Sequence, residues 1–113
     1  MFSAIKKSIK IGKLRANTQM CVQTLQKIHQ TVTVLGQPTL ADNLLDEGLG
    51  HFNEQYQTQL MWSRHPHMVS AEDIDQLLNM QTEMKSRLEL QLEMIKAQGL
   101  AYFDSLEKAE GVA

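Results

Sequence analysis

One cysteine, two prolines and six glycines are spread over 113 residues, and each scarcity closes off a class of architecture. A lone Cys21 rules out an intrachain disulfide and suits a reducing compartment, so a cytoplasmic protein is expected. Few prolines and glycines mean few turns, and therefore few, long elements. Aromatic residues make up only 5% of the chain, sparse for the strands of a β-sandwich. No apolar run approaches the roughly 18 residues that a membrane span needs. Lysines interrupt the N-terminus, which therefore lacks the unbroken apolar stretch of a secretory signal. Acid is missing from residues 1–41 altogether. That segment carries Lys6, Lys7, Lys10, Lys13, Arg15 and Lys27, a charge of +6, whereas residues 42–113 hold all 13 acids against 5 bases, a charge of −8. Such polarity either steers a partner and aligns subunits or is neutralised where helices of opposite sign pack together.

What the chain does have is 42% hydrophobic and 21% charged residues, a globular composition. Leu, Met, Gln, Glu, Lys and Ala dominate, all good helix formers. Ile11, Leu14, Thr18, Cys21, Leu25, Ile28, Val32 and Leu35 step by three or four and put one stripe on one helix face, with Thr18 its only polar member. Gly36 and Pro38 end it. Asn17 and Thr18 are candidate caps. The spacing therefore predicts helix 1 over 17–35, with 1–16 either a separate basic amphipathic arm or the helix's first turns.

Thr39 with Asp42 resembles a capping box and opens a second helix over 39–63. Its stripe is Leu45, Leu49, Phe52, Tyr56 and Leu60, and Gly48 and Gly50 inside it offer a neighbour close approach. Pro66 stops it. Ser70 followed by Glu72 and Asp73 opens the third helix, over 70–109. Its stripe is Ile74, Leu77, Met84, Leu88, Leu92 and Ile95, interrupted by Gln81. Gly99 either breaks this helix or is carried through it. The connections are short, which makes successive helices antiparallel. The expectation is an all-α domain over 1–113, an up-down-up three-helix bundle or long helical hairpin. A second copy in a homodimer is expected to cover the overhang of the long third helix, the other course being that the helix folds back at Gly99.

Few residues point to chemistry. His65-Pro66-His67 places two imidazoles in one loop, with His51 or Cys21 as further ligands for zinc or nickel. No CxxC or HExxH spacing supports it, and no metal or other cofactor is expected. Cys21 with His29 or His51 as base would make a nucleophile, but Cys21 falls on the apolar stripe, where a thiol is a small core residue. Asp46/Glu47 and Asp73/Asp75 sit at helix starts or on polar faces, where solvation and the helix dipole account for them. No phosphate-cradling loop follows a strand. No enzyme and no small-molecule substrate are expected.

Two surfaces remain. Met61, Trp62, Met80 and Met84 combine flexible thioethers with one aromatic anchor and form the candidate partner-binding surface of a helical protein–protein interaction module, an adaptor, regulator or assembly subunit. Lys6, Lys7, Lys10 and Lys13 flank a face that Phe2, Ile5 and Ile9 share on a helix. That basic arm is the alternative, a contact for nucleic acid or an anionic membrane. A pI near 6.0 and the absence of interleaved aromatics weaken its nucleic-acid form.

Overall fold

The computed structural model describes the backbone of residues 2–111 and the side chains of residues 4–107. The spacing of Asp104 and Lys108 suits an i,i+4 pair and the sequence leads one to expect fraying from Glu110, but these and the place of the Phe2 ring lie outside the described side chains. Four α-helices follow one another: α1 (Phe2–Val34), α2 (Pro38–Arg64), α3 (Ala71–Gln98) and α4 (Ala101–Gly111), with a 3₁₀ turn at Pro66–Met68 between α2 and α3. Among the described residues there is no strand, and no helix is long and apolar enough to cross a membrane.

α1 runs through Asn17 and Thr18 without interruption, so residues 2–16 are its first turns and not a separate arm. Two causes explain this. The Thr18 hydroxyl is spent inside the helix, donating to the Leu14 carbonyl oxygen at 2.9 Å, so it does not cap. Ile11 and Leu14 are also buried, against Val69 and Ile74, and tertiary packing of this kind is what sustains most helices. α1 ends in a Schellman motif: the Gly36 N–H donates to the Thr33 carbonyl and the Gln37 N–H to the Val32 carbonyl, satisfying two of the last free carbonyls.

The expected capping box at Thr39 does not form. α2 starts one residue earlier, with Pro38 in its first turn and Gln37 at the cap position without a side-chain bond. Proline has no N–H to satisfy and its φ is already helical, so it opens the helix itself. Asp42 turns away and bonds the His29 ring at 2.8 Å. Ser70 does cap α3, its Oγ accepting from the Asp73 N–H at 3.1 Å.

Buried residues lie in three clusters along α1. Ile11 and Leu14 meet Val69 and Ile74, with Trp62 and Leu77 alongside. Cys21 and Leu25 meet Phe52, with Leu45 and Met84 alongside. Ile28 and Val32 meet Ala41, Leu92 and Ile95. The first half of α1 thus lies by the end of α2 and the start of α3, and its second half by the start of α2 and the end of α3. The backbone of α1 lies close to both neighbours, whereas those of α2 and α3 do not approach each other closely. Gly48 permits part of this, since a Cβ there would collide with the Leu25 side chain, while Gly50 faces open space.

Gly99 breaks the third segment. It adopts φ 60° and ψ −140°, a region that only glycine enters freely. The break brings Tyr102 and Phe103 of α4 onto the cluster of Ile28, Val32, Ala41, Leu92 and Ile95. The overhang foreseen for the third helix is therefore turned back on the chain's own core. Gly99→Ala is expected to lower stability by about 1–3 kcal/mol or to straighten α3 into α4 and release the two aromatic rings. Either outcome shows as a lower thermal midpoint with helical circular dichroism retained; an unchanged midpoint would mean that the break carries no stability.

Candidate functional site

A buried polar node joins the three long helices between the first and second clusters. The Thr18 Oγ1 of α1 accepts from Gln59 Nε2 of α2 at 2.8 Å and from Gln81 Nε2 of α3 at 2.9 Å. With its own proton given to Leu14, that oxygen makes three bonds. Gln81 also donates to Gln55 Oε1 at 3.3 Å. Gln59 and Gln81 are 0% and 1% exposed, and their Oε1 atoms have no hydrogen-bond partner. A buried carbonyl left so costs about 1–3 kcal/mol. Each amide therefore combines one strong bond with one unmet acceptor, an arrangement that favours a single register of the three helices over others.

Above this node the separation of α2 from α3 leaves a groove. Near the helix α2 terminus it has a volume of about 330 Å³, with Gln55, Thr58 and Trp62 on one wall and Gln76, Leu77 and Met80 on the other. Beyond His51 it continues as a hollow of about 240 Å³, floored by Leu25 and Ile28 of α1 and lined by Leu44, Glu47 and Gln91. Glu47, Glu54 and Asp73 stand along it, so the rim is acidic. Trp62 is half-buried against the Ile11–Leu14 cluster, and Met80 is 56% exposed.

A wider hollow of about 630 Å³ lies on the other flank, between α1 and α2. Val22, Leu49, Phe52 and Tyr56 line it under a rim of Gln19, Gln23 and Asn53. The Arg15 guanidinium lies 5.9 Å from the Tyr56 ring centre, within cation–π reach. The rim is otherwise uncharged and offers a partner little direction.

α1 has a second apolar face. Ile5 is 53%, Ile9 57% and Met20 41% exposed, and the exposed Gly12 and Ala16 lie between them. Their spacing of four, three, four and four residues puts all five on one side, opposite the buried Ile11, Leu14 and Cys21.

The candidate residues separate. Trp62 and Met80 line the α2–α3 groove, one on each wall. Met84 packs beneath it with Cys21, Leu25 and Phe52. Met61, 53% exposed, lies outside the groove's lining, because neighbours on a helix point about 100° apart. The lysines divide as well. Lys10 pairs with Asp75 at 2.8 Å and Lys7 donates to the Pro66 carbonyl at 3.4 Å, so both hold α1 to its neighbours. Lys6 and Lys13 stay exposed and form no ion pair among the described residues.

His65 and His67 are exposed, their rings perpendicular and 6.1 Å apart. Among the described residues no three His, Cys, Asp or Glu side chains converge as metal ligands would. His29 bonds Asp42 and His51 bonds Gln55, so neither imidazole serves Cys21. Burial pushes the Cys21 thiol above its usual range, with Lys85 lowering it and Glu89 raising it to lesser extents. A thiol held protonated is a poor nucleophile. Its stabilising effect is complete below the ordinary thiol pKa and is lost as pH rises through the elevated value. Cys21 in the folded protein is expected to alkylate far more slowly than in denaturant at pH 8; equal rates would show that the thiol is accessible.

The node was missed in the sequence although its signal was there. Thr18 and Gln81 are the polar interruptions of two apolar stripes, and interruptions on matching faces meet. Gln59 gives no such sign, because the stripe of Leu45, Leu49, Phe52, Tyr56 and Leu60 steps from Tyr56 to Leu60 and passes over it, although Gln59 lies seven residues after Phe52 on the same side of α2. The buried members of α2 are Ala41, Phe52 and Gln59, while Leu49 and Tyr56 line the outer hollow. Comparison of the chain with family models, curated proteins and solved structures finds no match to any of the three.

Proposed function

We propose that the chain is a non-enzymatic helical interaction module, an up-down-up three-helix bundle that receives a partner in the groove between α2 and α3. The observation that carries this reading is the open separation of those helices, with Trp62 and Met80 on facing walls. Aromatic anchors beside adaptable thioethers recur at the centres of binding surfaces. The buried node supports it too, because a rigid register keeps the two walls at a fixed distance. The single buried thiol suits a reducing compartment such as the cytoplasm. Self-association fits the second apolar face of α1.

The alternative, contact with nucleic acid or an anionic membrane, rests on Lys6 and Lys13 beside Ile5 and Ile9. It has less behind it, since Lys7 and Lys10 are engaged within the fold.

Capture from native lysate with a C-terminal tag, with and without nuclease, tests the two readings together. A discrete protein that survives nuclease, is lost with Met80→Glu and is kept with Met61→Glu is the expected result. Capture that Met80→Glu leaves intact, and that nuclease, raised salt or charge reversal at Lys6 and Lys13 abolishes, would overturn the groove reading in favour of the basic face.

A further inference from the structure

We infer that the chain associates with copies of itself head to tail, the outward face of α1 from one copy seating in the α2–α3 groove of the next. The inference rests on the groove being a docking surface and names its occupant. Charge makes the first argument. The outward face of α1 carries Lys6 and Lys13 and belongs to a segment of 41 residues without acid, whereas Glu47, Glu54 and Asp73 stand along the groove. None of these five side chains forms an ion pair among the described residues.

Spacing makes the second argument. Lys6 and Lys13 are seven residues apart, as are Glu47 and Glu54, so both pairs are separated by about 10.5 Å along their helices, and one docking register matches both. Ile5 to Met20 spans about 22 Å and the α2 wall of the groove, from Leu44 to Trp62, about 27 Å, so the groove is long enough to hold the apolar stripe. Gly12 and Ala16 at the middle of the stripe present no bulk: a Cβ at Gly12 meets nothing within 4 Å, which leaves room for a close approach.

Direction makes the third argument. The outward face lies on the side of α1 turned away from its core residues, while the part of the groove around Trp62 and Met80 is lined by α2 and α3 alone and so opens away from α1. Two complementary surfaces on opposite sides of one molecule cannot both be filled in a two-membered ring. They give a heterologous contact, which propagates until a rotation closes it. The isologous choices are disfavoured, since face to face places lysines against lysines and groove to groove places acids against acids.

The test is sedimentation of the full chain over a concentration series at low and high salt, with Ile9→Glu, Met80→Glu and their mixture. Both substitutions fall on exposed positions, and circular dichroism checks that each variant is folded. The wild type is expected to grow past twice 12.8 kDa at low salt and to shrink as salt rises. Each variant alone is expected to associate at least about tenfold more weakly. The mixture is expected to form one-to-one dimers, because Ile9→Glu retains a sound groove and Met80→Glu a sound α1 face. Lys13→Glu is expected to weaken assembly and Glu54→Lys in the partner to restore it. A mass that saturates at the dimer, a mixture no larger than its components, or a wild type monomeric at every concentration would each overturn the inference. In the last case, capture of a protein that depends on Met80 would leave the groove standing as the site for another partner.

Discussion

Thr18→Val is expected to destabilise the protein by about 2–4 kcal/mol, read as a lower urea midpoint with an unchanged slope. Valine keeps the shape of threonine and removes the oxygen that serves two amides. Gln59 Nε2, on a fully buried side chain, then has no acceptor, and Gln81 Nε2 keeps only its longer bond to Gln55. Thr18→Ser retains the oxygen and gives up one methyl, for about 1 kcal/mol. The decisive variant removes the whole node. Thr18→Val with Gln59→Leu and Gln81→Leu also deletes the two unmet carbonyl oxygens, and its stability should return to that of the wild type or exceed it. If the single change costs less than about 0.5 kcal/mol, the node has no energetic role and some other contact sets the register.

The second large effect separates the two sides of α1. Leu14→Ala removes a side chain that is 0% exposed among Ile11, Val69 and Ile74 and is expected to cost about 2–5 kcal/mol. Ile9→Ala, five residues earlier on the same helix, removes a side chain that is 57% exposed and is expected to cost less than about 0.5 kcal/mol. The comparison belongs at high salt and low concentration, where association adds nothing to apparent stability. Near-equal losses would mean that Ile9 is buried in the monomer and that α1 has no outward apolar face.

This two-sidedness explains both what could be read in advance and what could not. The stripe from Ile11 to Val32 was legible because its members recur every three or four residues, and all of them are buried. The stop at Gly36 and the cap at Ser70 were legible because each rests on local backbone chemistry. The continuity of α1 through Thr18 was not, since it depends on Val69 and Ile74, more than 50 residues away in sequence. In α2 the stripe includes Phe52 and Leu45, which do pack with Cys21 and Leu25, but also two residues that do not. Leu49 and Tyr56 keep helical spacing but lie on the flank, and a glutamine takes the core position that an apolar residue would normally fill. Periodicity reports where apolar residues are, and it is silent about a buried polar residue whose partners come from two other helices.

The candidate surface was legible to a similar degree. Trp62 and Met80 come from different helices, and only the packing of both on α1 brings them across one groove. Met61 and Met84 shared their composition but not their direction. The lysines were legible as a group, yet the division between those that hold α1 in place and those left exposed follows from where Asp75 and the Pro66 carbonyl lie.

Trp62 is the only tryptophan and stands on the wall of the groove, so its fluorescence reports directly on whether the groove is filled. The measurement is its emission maximum over the concentration series in which association is followed by sedimentation, at low salt. The account predicts a shift to shorter wavelength in step with assembly, and no shift for Met80→Glu. Assembly that proceeds while the emission of Trp62 stays constant would contradict it and place the contact elsewhere on the protein.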